Sequence, residues 1–220
     1  MRIRRAGSSC AVLFALLVFT RPARAQSRGW RELWDGKDFA GWEHVGPGRF
    51  VIEDGLLKTE GGMGLLWYTR EKFGACVIRT VYKTGKKDDN SGVFIRIPEP
   101  PSEPWMPVNK GYEVQIDDAE DDYHITGVLY SLTKALAKPG KTGEWNTMDI
   151  RLDGPRTIVV LNGVEVTDFS EGGPVPPKRK GYEPDRGPRP NYGYIGLQNH
   201  AGSDTVYFKE VAVRPLSKAD

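Results

Sequence analysis

From about residue 49 onward the chain alternates apolar and polar residues in short runs. "RFVIE", "GLLKTE", "GLLWYT", "ACVIRTVYK", "SGVFIRI", "GYEVQI", "EWNTMDIRL", "RTIVVLN", "GYIGLQNH" and "DTVYFKEVAV" each carry the two-residue period of a strand. Turn dipeptides separate several of them: Asp54-Gly55, Asp153-Gly154 and Asn162-Gly163. The run "RTIVVLNGVEVTDF" reads as a hairpin about Asn162-Gly163. Beyond Arg28 no stretch keeps a helical period, and "YSLTKALAK" has room for two turns at most before Pro139. So many short strands in one chain predict an all-β, antiparallel sandwich or barrel.

Three segments break the alternation. Residues 98–110 are rich in proline and 171–193 in proline and glycine, and 117–124 is mostly polar. Loops of this length in a compact sheet protein are more often functional than idle. The strands themselves carry a second signal. In "GYEVQIDD" the period puts Glu113, Gln115 and Asp117 on one face, opposite Tyr112, Val114 and Ile116. In "NSGVFIRI" Phe94 and Arg96 share a face, and in "GYIGLQNH" so do Gln198 and His200. If these strands are neighbours, Arg96, Glu113, Gln115, Asp117, Gln198 and His200 line one concave surface; otherwise they form a solvated outer face. Trp67, Tyr68, Trp105 and Trp145 stand near loop edges, where an aromatic face suits the C–H side of a sugar ring.

The charge changes meaning once the N-terminus is read. "MRIRR", the apolar "AVLFALLVF" and the small-residue "ARA" before Gln26 have the form of a secretory signal peptide at residues 1–25, leaving one domain over 26–220. Removing the leader takes away five arginines and no acids. The basic count falls from 31 to 26 against 29 acidic residues, and the net charge goes from +2 to −3. That removes the electrostatic case for a nucleic-acid partner, and no membrane partner is expected after cleavage. Only Cys76 remains, read as a small core residue. No H-x-x-x-H or C-x-x-C spacing points to structural zinc, and nothing in the residues demands a cofactor. Glu113, His124 and His200 brought together across strands would form an oxygen-and-imidazole set suited to a divalent cation such as Mn²⁺, Co²⁺ or Ca²⁺.

Taken in order, "WDGKDFAGW", "VIEDGLL", "GLLWYTREKFG", "NSGVFIRI", "GYEVQIDD", "TGVLY", "GEWNTMDIRLDG", "IVVLNG" and "GYIGLQNH…VYFKEVAVRPL" resemble the 3-keto-disaccharide hydrolase domains. The resemblance implies a jelly-roll sandwich of the concanavalin A-like type and an oxidised disaccharide or glycoside as substrate. It also implies a reaction: a C3 ketone acidifies the C2 hydrogen, a base removes it, the enediolate expels the C1 oxygen, and water adds to the glucal. Such chemistry needs a base, an electrophile and an acid. Glu113 is the expected base, Arg96 or a divalent cation the electrophile, and His200 or His124 the acid. Gln115, Asp117, Gln198, Trp67, Tyr130 and Trp105 are the expected substrate contacts. Two other readings stand beside this one. A carbohydrate-binding module of the same fold needs no base. A retaining glycosidase needs two carboxyl groups about 5–5.5 Å apart, whereas Glu113 and Asp117 on a regular strand lie about 13 Å apart.

Overall fold

The computed structural model describes residues 29–217; the expected leader and its cleavage site lie outside the described residues. In chain order the elements are β1 (Arg31–Glu32), β2 (Trp42–Val45), β3 (Arg49–Glu53), β4 (Leu56–Glu60), β5 (Gly64–Tyr68), β6 (Cys76–Thr84) and β7 (Ser91–Ile97). A short helix α1 (Met106–Lys110) precedes β8 (Tyr112–Ile116), β9 (Asn146–Asp153), β10 (Arg156–Leu161), β11 (Val164–Ser170), β12 (Tyr194–Asn199) and β13 (Val206–Pro215). They form two antiparallel sheets. One has the order β11-β10-β9-β6-β13-β4-β3, with β1 added against β13; the other has the order β2-β5-β12-β7-β8. This is the all-β sandwich that the alternation predicts.

The main core lies between the sheets. Leu66, Val93, Ile95, Tyr112, Val114, Ile116, Ile195 and Leu197 from the five-stranded sheet meet Ile78, Met148, Ile150, Leu152, Val159, Phe208 and Val211 from the eight-stranded one. Burying such side chains stabilises the fold by about 1.5–3 kcal/mol each. Cys76 belongs to this core, where burial pushes its thiol up to about 12, leaving it an unreactive thiol at neutral pH.

A second, smaller cluster covers part of the outer face of the five-stranded sheet. Leu65, Trp67, Phe94 and Ile97 pack there against Met106 and Val108 of α1. The proline-rich segment 98–110 is therefore a cover that holds one turn of helix, with Pro107 at its first turn where a missing N–H costs nothing. "YSLTKALAK" forms turns and no helix. His44 sits on β2, opposite Leu66, because "WEHV" pairs with β5.

Candidate active site

The outer face of the five-stranded sheet is half apolar and half polar. Glu113 and Gln115 of β8 and Gln198 of β12 project from the same side as Trp67 and Phe94, away from the main core. Beside the small apolar cluster they floor a cleft of about 380 Å³, within the range of small-ligand sites. Asn90, Trp105, Val108, Glu120, Tyr130, Tyr182 and His200 form its walls and mouth. Each of the three irregular segments contributes: Trp105 and Val108 from the first, Glu120 from the second, Tyr182 from the third. Two arginines pin the third segment to the body. Arg186 donates to the Ser131 carbonyl at 3.2 Å and Arg189 to that of Gly111 at 2.9 Å.

Glu113 is only 6 % exposed. It can lie over the neighbouring strand because that strand offers a glycine: a Cβ on Gly92 would stand 2.6 Å from Glu113 Oε1. Burial pushes the Glu113 carboxyl up to about 8, while a hydrogen bond with the Gln198 side chain pulls the other way. Tyr130 is fixed alongside by its backbone N–H, which donates to the Glu113 carbonyl at 2.9 Å. Burial first, and the Glu113 charge after it, raise the Tyr130 phenol, so it stays a proton donor. The amide oxygens of Asn90, Gln115 and Gln198 are buried without a protein partner. Buried acceptors are normally satisfied, and three orphans lie side by side along this cleft. At the mouth His200 is 44 % exposed, and its Nδ1 meets Asp204 Oδ2 at 3.1 Å, leaving Nε2 free.

The structure thus brings together Glu113, Gln115, Gln198, His200, Tyr130 and Trp105, and places the other expected site residues elsewhere. Arg96 is the main correction. A bulge makes two residues of β7, Ile95 and Arg96, face one of β12, since Tyr194 pairs with Ile97 but Gly196 with Phe94. Arg96 takes φ +56° there. The parity inverts, Ile97 joins the outer cluster, and the Arg96 guanidinium crosses the interior to the Gly154 carbonyl (2.8 Å), the Arg156 carbonyl (3.2 Å) and Thr157 Oγ1 (3.2 Å). It ties the two sheets together and does not face the cleft.

His124 sits behind Tyr130, ring edge to ring at 5.0 Å, with Nδ1 on Asp121 at 2.8 Å and Nε2 3.6 Å from Glu183. Asp117 reaches the cleft only through Asn90, whose amide donates to it at 3.2 Å; burial lifts its carboxyl to about 6. Trp67 is buried in the small cluster, edge to Tyr194 at 5.0 Å, and offers no ring face to a sugar. Tyr68 lies in the main core, and Trp145 sits on the other sheet between Lys83 and Lys209. Glu113, His124 and His200 do not converge; among the described residues no three His, Cys, Asp or Glu side chains form a set able to hold a metal. The divalent-cation set is therefore not assembled.

Sequence reasoning missed Asn90, Val108, Glu120 and Tyr182. Asn90 reads as turn chemistry before a strand, and Val108 is an apolar residue in a proline-rich run. Tyr182 was signalled only by being an aromatic in a long loop.

The fold has counterparts. Residues 29–214 match the model of the 3-keto-alpha-glucoside-1,2-lyase-like domain, and the chain belongs to that family. Among solved structures it is similar to a protein of Parabacteroides distasonis provisionally named a glycosyl hydrolase. That match has 24% identity and a TM-score of 0.68, and covers 85% of this chain and 99% of that one. A second protein of the same organism, under the same provisional name, gives 23% identity and a TM-score of 0.69, covering 86% and 94%. A carbohydrate-binding module of Bacillus subtilis shares the sandwich at 15% identity and a TM-score of 0.55, covering 79% and 95%. No functionally curated protein matches the chain.

Proposed function

We propose that the protein cleaves 3-keto-glycosides by elimination and hydration, with Glu113 as the base. One observation carries this reading: a carboxyl raised to about 8 by burial, on the floor of a cleft whose other deep groups are unpartnered amide oxygens. A base that must remove a carbon-bound hydrogen next to a ketone works best with a pKa near the working pH.

In the proposed reaction the Glu113 carboxylate takes the C2 hydrogen, and the electron pair moves onto the C3 oxygen. The Tyr130 hydroxyl and the Gln115 amide supply donors there, the part once expected of Arg96. Collapse of the enediolate breaks the C1–O bond, and His200, as an imidazolium held through Nδ1 by Asp204, protonates the departing oxygen from Nε2. Water then adds at C1 of the glucal, giving a proton to His200, and Glu113 returns a proton to C2. The unpartnered oxygens of Gln115, Gln198 and Asn90 accept the sugar hydroxyls. The retaining alternative is disfavoured by geometry: β8 pairs with β7 without a register shift, and Asp117, one residue past its end, does not line the cleft beside Glu113.

A carbohydrate-binding module is the second reading, favoured by the shared sandwich and by the aromatic mouth. Incubation with a 3-keto-disaccharide separates the two: turnover by the wild type that Glu113→Gln removes supports the enzyme, and saturable binding without turnover supports the module. We also propose export with cleavage after Ala25. N-terminal sequencing of protein recovered from the producing cell should begin at or near Gln26; Met1 in an envelope fraction would refute it.

A further inference from the structure

The cleft has a polarity gradient that the reaction alone does not explain. Its floor is polar and closed: Glu113, Gln115 and Gln198 are 6 %, 1 % and 3 % exposed. Its mouth carries two large aromatic side chains in water, Trp105 at 46 % and Tyr182 at 55 % exposed. Both residues are held from outside the cleft. The Trp105 backbone N–H donates to Glu103 Oε2 at 2.8 Å as the chain enters α1, and Lys180 lies over the Tyr182 ring at 5.6 Å. Two large exposed rings at the rim of one pocket suit stacking against a ring-bearing part of a ligand.

The chemistry fixes which part of a substrate meets them. Glu113 has to reach C2, so the oxidised ring lies on the floor. C1 adjoins C2, and the sheet closes the space beneath. The C1 substituent therefore points outward, past His200 at the rim, towards Trp105 and Tyr182.

Resting on the proposed elimination, we infer that Trp105 and Tyr182 form an aglycone clamp, which selects terminal 3-keto-glucosyl units carrying a flat, apolar-faced ring as leaving group. Aryl-bearing alcohols have that chemistry. A chain continuing in both directions from the oxidised sugar does not fit, because the floor is closed, so the enzyme removes end units only.

The test compares benzyl and methyl 3-keto-glucosides, whose leaving alcohols are of nearly equal acidity, so a rate difference reports recognition and not leaving-group strength. The wild type should prefer the benzyl glycoside at least tenfold in kcat/KM, and Trp105→Ala/Tyr182→Ala should bring the ratio close to one. A wild-type ratio near one, or a ratio that survives the double substitution, overturns the clamp. Calorimetric titration with the same two compounds keeps the inference separate from the reaction. If neither is turned over, the elimination reading fails, but tenfold tighter binding of the benzyl compound, lost in the double variant, still upholds the clamp. Equal or absent binding of both sinks it.

Discussion

At the scale of single residues the account turns on what burial does to Glu113. Desolvation disfavours its charged form and the hydrogen bond from Gln198 favours it, and burial is the larger effect. The folded protein thus holds a proton that the unfolded chain, with an ordinary carboxyl near 4.5, has already lost. Between about 4.5 and 8 the native state binds more protons than the unfolded one, so this group makes stability fall as pH rises, and the fall ends above about 8. Denaturation midpoints measured across that range should show the slope, and Glu113→Gln should flatten it. Activity should run the other way on the Glu113 limb, with kcat/KM climbing as pH rises towards about 8, because only the carboxylate is a base. Glu113→Gln should lower turnover by about two orders of magnitude or more while leaving the fold intact. Arg96 is the contrasting case. Its guanidinium satisfies carbonyls in the interior, and charged hydrogen bonds are worth about 1.5–3 kcal/mol each. Arg96→Met should therefore cost several kcal/mol of stability, read from chemical denaturation, yet leave kcat of the folded fraction within about threefold. A loss of kcat as deep as that of Glu113→Gln would return Arg96 to the chemistry.

At the scale of elements the site depends on how β7, β8 and β12 lie side by side. Gly92 leaves the room that the Glu113 carboxylate fills, so Gly92→Ala should push the carboxylate aside. The expected result is a stability loss of about 1–3 kcal/mol, typical of overpacking, together with a fall in turnover larger than the stability change explains. Wild-type turnover in Gly92→Ala would show that the carboxylate can act from another position. These strands were legible in the sequence because their period is regular: Tyr112, Val114 and Ile116 face the core and Glu113 and Gln115 the cleft, as the alternation required. Arg96 was misplaced for a physical reason. A bulge adds one residue to a strand and inverts every face after it, and nothing in "SGVFIRI" marks a non-glycine residue at φ +56°. The strand β2 was missed because "WEHV" is short and has two exposed polar residues between its apolar ends. Segment 98–110 was legible as a loop but not as a cover, since Met106 and Val108 become buried only when the sheet is beneath them.

At the scale of the molecule the sandwich is a rigid support, and three loops decide what reaches its outer face. Segments 98–110, 117–124 and 171–193 interrupt the alternation in the sequence and meet at one cleft in space. That convergence could not be read from the chain: 98–110 and 117–124 flank opposite ends of β8, and 171–193 joins them only through the strand order β5-β12-β7-β8. The central claim is that the cleft recognises a ketone through the hydrogen it acidifies. The most direct measurement gives the purified protein 3-keto-trehalose and plain trehalose side by side and follows glucose release. The account predicts cleavage of the oxidised sugar only, abolished by Glu113→Gln, since the C2 hydrogen of trehalose is beyond the reach of a carboxylate base. Comparable cleavage of plain trehalose would contradict it.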